Sequence, residues 1–373
     1  MSGNRFESIA QELLSSAGIV INGANPWDIQ VHDKRFYQRV LSEAELGLGE
    51  SYVEGWWDCT AIDEFITRIH LSKLEEKVRG NWKIIFHALK AKLFNLQTKA
   101  RSLEVGKKHY DLGNDLFQAI LDKRLVYSCG YWKNAANLDE AQEAKLELVC
   151  RKIDIKPGMT VLDLGCGFGG FAIYVAKKYK AKVVGINIAK KQIELANELG
   201  KGLPVEFRLQ DYREVEGKFD RVVSLGFFEH VGYKNYRTHM KTVDRCLDEN
   251  GIAFIQTIGG NTSKTRGDAW SNKYLFPSGM IPSTAQIGKA MEGIFVAEDW
   301  HNFGPDYDKT FMAWYQNFEK AWPELKKTHD ERFYRIWRYY LLLCAGAFRS
   351  RYLQLWQIVM TRPGTEQPNV RIS

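Results

Sequence analysis

A carboxylate stands two residues ahead of a run of closely spaced glycines, Asp163-Leu-Gly165-Cys-Gly167-Phe-Gly169-Gly170, at the end of an apolar stretch. Glycines at this spacing let a chain turn sharply from strand to helix and bring backbone N–H groups against a bound molecule without interference from Cβ atoms. Gly165, Gly167 and Gly170 also satisfy the spacing of a dinucleotide-binding turn, so the loop alone leaves its ligand open. Two residues separate the possibilities. Asp163 suits a cationic amino group and would repel a pyrophosphate. Asn187, at the end of the next apolar stretch, stands where a nicotinamide enzyme carries Asp or Glu for the ribose. The ligand favoured is S-adenosylmethionine, whose methionine end carries an ammonium group. Asp211-Tyr212, after a third apolar stretch, fall where contacts to an adenine ring are expected, although Asp211 also reads as a helix N-cap. Cys166 reads as a small filler within the loop.

The elements that must position these residues follow from periodicity. MTVLDLG (159–165), AKVVGIN (181–187), VEFRLQD (205–211), FDRVVSLG (219–226) and GIAFIQTI (251–258) are apolar runs of strand length. Helical patterns such as FAIYVAKKYK and KKQIELANEL follow most of them, and that alternation predicts a parallel, doubly wound sheet with its ligand at the carboxyl ends of the strands. An acidic residue before glycines after the first strand is the arrangement of Rossmann-like class I methyltransferases. The expected fold is therefore an α/β sheet of that kind with a small, mostly helical N-terminal domain. Along the sequence we expect that small domain over 1–72, a basic amphipathic connector over 73–108, and an S-adenosylmethionine-dependent catalytic domain over 109–373. The connector holds ten Lys/Arg against three Glu, an excess equal to the whole chain's net charge of +7. Trp82, Ile85, Phe86, Leu89, Leu93 and Leu96 lie there at helical spacing. Such a segment fits an anionic surface, or packs against a core.

Length and composition bound the alternatives. The 373 residues exceed the ~250–300 at which single cores stop growing, so a second domain is expected. A hydrophobic fraction of 45% excludes disorder. No stretch approaches the ~20 apolar residues of a membrane-spanning helix, and the N-terminal sequence lacks a signal-peptide pattern, which predicts a cytoplasmic protein. Six scattered cysteines show no CxxC pair and no metal-ligand spacing.

Seven segments together carry a resemblance to the cyclopropane-fatty-acyl-phospholipid synthases: HYDLGNDLF (109–117), VYSCGYW (126–132), VLDLGCGFGG (161–170), LGFFEHVG (225–232), TIGG (257–260), DWHNFGPDYDKT (299–310) and AGAFRSRYLQLWQ (345–357). It runs from near residue 9 almost to the end. The resemblance implies transfer of a methylene group from S-adenosylmethionine to the cis double bond of unsaturated phospholipid acyl chains. It implies a bicarbonate as base, bound by Cys129, Glu229, the Ile258 backbone and Tyr307. The family reads His at position 256, whereas this chain has Gln256, which can donate a hydrogen bond but carries no proton or charge in exchange. Tyr127, Ser128 and Gln192 correspond to cofactor contacts, beside Asp163, Gly165, Gly167, Gly169, Asn187, Asp211 and Tyr212. The resemblance further implies a homodimer peripherally associated with the inner face of the cell membrane. Three other readings differ in product or ligand. A C-methyltransferase would leave methyl or methylene branches, a lipid-binding protein would be catalytically silent, and a nucleic-acid methylase would need a polar target pocket. The apolar stripe from Trp82 to Leu96 argues for lipid and against nucleic acid.

Overall fold

The five apolar runs become five neighbouring strands; four of them offer β-branched and large apolar residues to both faces of a buried sheet, while the run from 205 forms an edge strand that buries only Phe207. The computed structural model describes residues 3–74 and 114–371. The expected connector from 75 to 108, and the His-Tyr-Asp start of the segment at 109, lie outside the described residues. The chain divides into two units. One comprises Met1–Leu112, Gly267–Pro277 and Trp314–Tyr352; the other comprises Gly113–Arg266, Ser278–Ala313 and Leu353–Ser373.

In the first unit a two-stranded ribbon, β1 (Gln30–Val31) and β2 (Trp57–Asp58), is surrounded by helices. Trp57 is fully buried among Phe36, Tyr52, Phe65 and Tyr339. Truncation of such a residue to Ala costs about 3–5 kcal/mol. The helix Glu331–Arg349, capped by Asp330, packs on the helix Ile62–Leu71, and the absence of a side chain at Gly346 is what lets it approach the Asp63 carbonyl. This explains how the unit departs from a contiguous N-terminal domain. Its core is completed by residues from beyond 267, and nothing local in their sequence announces that destination.

The second unit holds a seven-stranded sheet: β3 (Thr160–Leu164), β4 (Lys182–Asn187), β5 (Val205–Leu209), β6 (Phe219–Leu225), β7 (Leu247–Gly260), β8 (Val296–Asn302) and β9 (Leu353–Thr361). The spatial order is β5-β4-β3-β6-β7-β9-β8. β3 to β7 pair in parallel, as expected, while β9 runs antiparallel between β7 and β8. β9 was not expected as a strand: LQLWQIVMT mixes glutamines with apolar residues and belongs to no strand–helix alternation. The strand order reverses at β3, where a crevice opens at the carboxyl ends. Gly170–Tyr179 and Lys190–Leu199 form the expected helices after β3 and β4. The helix Leu138–Lys152 begins at Asn137, whose side chain accepts from the Glu140 N–H at 3.0 Å, and it buries Gln142, Lys145 and Lys152. No described helix is long and apolar enough to cross a membrane.

Candidate active site

The glycine loop turns as its composition requires. Gly165 and Gly169 adopt φ of 80° and 81°, where an L side chain is strained. A Cβ at Gly165 would also meet the Phe227 ring at 2.6 Å. Beyond the loop lies a cavity of about 220 Å³ whose lining includes Gly165, Asn187, Asp211, Tyr212, Phe227 and His230. Asn187 places its amide 2.7 Å from Gln192 Oε1 and 3.5 Å from the Gly167 carbonyl, so Gly167 and Gln192 join the same cluster. Asp211 caps the short turn that follows it, the second of its expected roles. Its carboxylate accepts from the Arg213 backbone N–H at 2.9 Å and pairs with the Arg213 guanidinium, while the residue still lines the cavity.

Asp163 is buried on β3, and its Oδ2 has no hydrogen-bond partner among the described residues. Burial pushes its carboxyl up to about 7, against the pull of the Lys145 ammonium. An unpaired buried carboxylate is costly, so the site calls for a cationic partner. The ammonium of S-adenosylmethionine fits that demand, and a pyrophosphate does not. Tyr127 approaches the loop through Phe117, whose ring lies 5.1 Å from Tyr127 and 5.6 Å from Phe168. Ser128 accepts from Lys145 Nζ at 3.0 Å and lies beside Gly226, where an added Cβ would meet it at 3.6 Å.

The remaining candidates do not line that cavity, and Cys129, Glu229, Gln256 and Tyr307 among them are buried. Glu229, on the short turn after β6, accepts from the Ile258 N–H at 2.6 Å, and its Oε2 has no partner among the described residues. Burial pushes Glu229 up to about 7, opposed by the Ile258 hydrogen bond. The Ile258 N–H is thus committed to Glu229, and its carbonyl accepts from the Thr257 hydroxyl at 3.1 Å. Gln256, two residues earlier on β7, is paired across the sheet with Gln357: the Gln357 amide donates to Gln256 Oε1 at 2.9 Å, and Gln256 Nε2 has no partner among the described residues. Cys129 is fully buried, which holds its thiol well above the ordinary value and so neutral. Tyr307 is buried on the first turn of the helix Pro305–Leu325, stacked 4.6 Å from Phe311.

Sequence reasoning missed several neighbours. Lys145 is fully buried, and desolvation pulls it down to about 8 despite Asp122, Cys129 and Asp163. Its only sequence signal is a lysine on the apolar side of a helix. His239 is enclosed by Tyr212, Phe227 and Phe228, and burial pulls it down to about 3, so it stays neutral behind the cavity.

A β3 glycine turn, a buried carboxylate with an oxygen unpartnered among the described residues, and a cavity at the switch point of a sheet with an antiparallel penultimate strand are the features of an S-adenosylmethionine-dependent methyltransferase. The sequence profile described as mycolic acid cyclopropane synthetase matches residues 97–358, and the chain belongs to that family. It is 52% identical over 354 residues to the cyclopropane-fatty-acyl-phospholipid synthase of Escherichia coli strain K12, covering 95% of this chain and 93% of that one. A probable fatty acid methyltransferase of Pseudomonas putida is 34% identical over 278 residues, covering 71% of each chain. Among solved structures, a mycolic acid cyclopropane synthase complexed with SAH and CTAB superposes with a TM-score of 0.64 at 29% identity, covering 70% of this chain and 99% of that one.

Proposed function

We propose that this enzyme closes cyclopropane rings on unsaturated phospholipid acyl chains, with Cys129, Glu229, Gln256, Ile258 and Tyr307 holding a bicarbonate. S-adenosylmethionine supplies a methyl group on a sulfonium. Asp163 orients its ammonium, and the face of Tyr127 suits its positive charge. An alkene is a weak nucleophile, so the surroundings must hold it close and exclude water. Once an alkene carbon has taken the methyl, that methyl must lose a proton so that its C–H electron pair forms the second ring bond. Bicarbonate would accept this proton.

The observation that carries the reading is the Glu229 carboxyl, buried, with one oxygen on the Ile258 N–H and the other without a hydrogen-bond partner among the described residues. Near neutral pH it is partly protonated and can donate to an anion's oxygen, which an ordinary glutamate could not. Gln256 Nε2 offers a second donor and the neutral Cys129 thiol adds no repelling charge. The test uses purified enzyme, S-adenosylmethionine and vesicles of unsaturated phosphatidylethanolamine, with bicarbonate depleted and then restored. Ring formation that falls on depletion and recovers supports the reading; indifference to bicarbonate removes the base.

The basic segment near 81–97, outside the described residues, is read as the membrane-docking element. Each basic residue near an anionic surface contributes about 1 kcal/mol. Charge reversal at Lys83, Lys90 and Lys92, or added salt, weakens sedimentation with anionic vesicles if this is so; insensitivity to both makes the segment a linker. Attachment to the inner face of the cell membrane and assembly as a homodimer belong to the same proposal, and analytical ultracentrifugation tests the dimer.

A further inference from the structure

The segment Val126 to Trp132, which carries Tyr127, Ser128 and Cys129, is held on two sides by side chains outside the motif. From the helix Leu138–Lys152, Gln142 Nε2 donates to the Ser128 carbonyl at 2.7 Å and Lys145 Nζ to the Ser128 hydroxyl at 3.0 Å. From the helix Pro305–Leu325 come Asp306 and Thr310. The Trp132 backbone N–H donates to Asp306 Oδ2 at 2.8 Å. The Thr310 hydroxyl, fully buried, accepts from the Gly130 N–H at 3.1 Å and from Trp132 Nε1 at 2.9 Å, and it donates to the Asp306 carbonyl at 2.8 Å. Cys129 Sγ lies 3.9 Å away. A hydroxyl has two lone pairs and one proton, so the two N–H groups fill its accepting capacity and its one proton is shared between the Asp306 carbonyl and, at the longer distance, Cys129 Sγ.

We propose that Thr310 is a positioning residue for ring closure, its one oxygen setting the placement of Cys129 relative to Tyr307. The bonds it accepts fix the backbone immediately after Cys129. The bond it donates fixes the turn that contains Tyr307. Thr310 lies three residues beyond Tyr307, so both occupy the same side of one helical turn. Asp306 makes a second tie between the same two segments, which resists rotation about the first. The proposal rests on the reading of Cys129 and Tyr307 as walls of the bicarbonate site.

Thr310→Val keeps the shape and removes the oxygen, leaving two buried donors unpaired; Thr310→Ser keeps the oxygen and removes a methyl. Both are assayed as full-length enzyme on unsaturated phosphatidylethanolamine vesicles across a bicarbonate series, with S-adenosylmethionine affinity measured by calorimetry. In Thr310→Val the half-saturating bicarbonate concentration rises about tenfold while cofactor affinity stays within about twofold, and Thr310→Ser behaves as the parent. Equal impairment of the two variants, or parallel loss of cofactor affinity and melting temperature in Thr310→Val, makes the residue a packing element and overturns the proposal. Cys129→Ala and Tyr307→Phe separate the two layers. Parental bicarbonate dependence in Thr310→Val with these two impaired overturns the Thr310 role alone. Parental behaviour in all three overturns the base-site reading with it.

Discussion

The cofactor cradle and the seam around Glu229 are both built at the carboxyl ends of one sheet, but different groups hold them. The cradle is largely backbone: positive φ at Gly165, Gly167 and Gly169, with Asn187 bridging to Gly167 and Gln192. The seam is largely side chain: Glu229 on Ile258, Gln357 on Gln256, Thr310 on Gly130, each bond joining residues 29 to 180 positions apart. Backbone geometry tolerates loss of a hydroxyl or amide but not the addition of a Cβ. Side-chain networks fail the other way, because one removed partner leaves a buried group unpaired. Variants in the cradle are therefore expected to act on cofactor affinity, and variants in the seam on turnover.

The sharpest separation comes from Glu229→Gln. Turnover falls by about 10²-fold, because an amide can donate to the anion but cannot share a proton with it as the Glu229 carboxyl does, while calorimetry finds S-adenosylmethionine affinity unchanged. A matching loss of affinity would merge the two regions. Gly165→Ala is the converse: the added Cβ meets Phe227, so affinity falls by about tenfold or more, and turnover at saturating cofactor recovers much of its value. Low turnover even at saturation would show that the loop also positions the reacting methyl group.

A smaller effect follows from protonation. Asp163 and Glu229 are both raised to about 7 from ordinary carboxyl values, so between those limits these two groups bind more protons in the cofactor-free folded state than in the unfolded one, while buried His239, pulled down to about 3, acts in the opposite sense. The melting temperature of Asp163→Asn, which lacks one of the two raised carboxyls, therefore gains on that of the parent as pH rises from about 4 to 7. Cofactor binding runs in the opposite sense. Only ionised Asp163 pairs with an ammonium group, so affinity weakens by up to about tenfold per pH unit below 7, and Asp163→Asn abolishes that slope. The slope surviving in Asp163→Asn would place the titrating group elsewhere. The smallest effect is expected of Gln256→His, with turnover within about threefold of the parent; a dead variant would show that Gln357 and Gln256 organise this corner differently from a histidine.

The same division explains what could be read from the sequence. Asp163 and its glycines are contiguous and demand a conformation of their own, so the cradle and the five parallel strands were legible. Asn187 and Asp211 followed from their place at strand ends. Cys129, Glu229 and Tyr307 are ordinary residues locally and became candidates only through the joint resemblance of seven segments. Thr310, Lys145 and Gln357 act through partners on other elements, which no local pattern encodes. β9 and the late additions to the first unit were missed for the same reason: Gln357 and Gly346 make sense only against Gln256 and Asp63.

The central claim, closure of a ring, is tested most directly by supplying purified enzyme with S-adenosylmethionine deuterated at its methyl group and unsaturated phosphatidylethanolamine vesicles, then analysing the acyl chains by mass spectrometry. The account predicts that each altered chain gains one carbon bearing two deuteriums and loses its double bond. A carbon bearing three deuteriums, or two with the double bond retained, would mean a methyl or methylene branch and would contradict it.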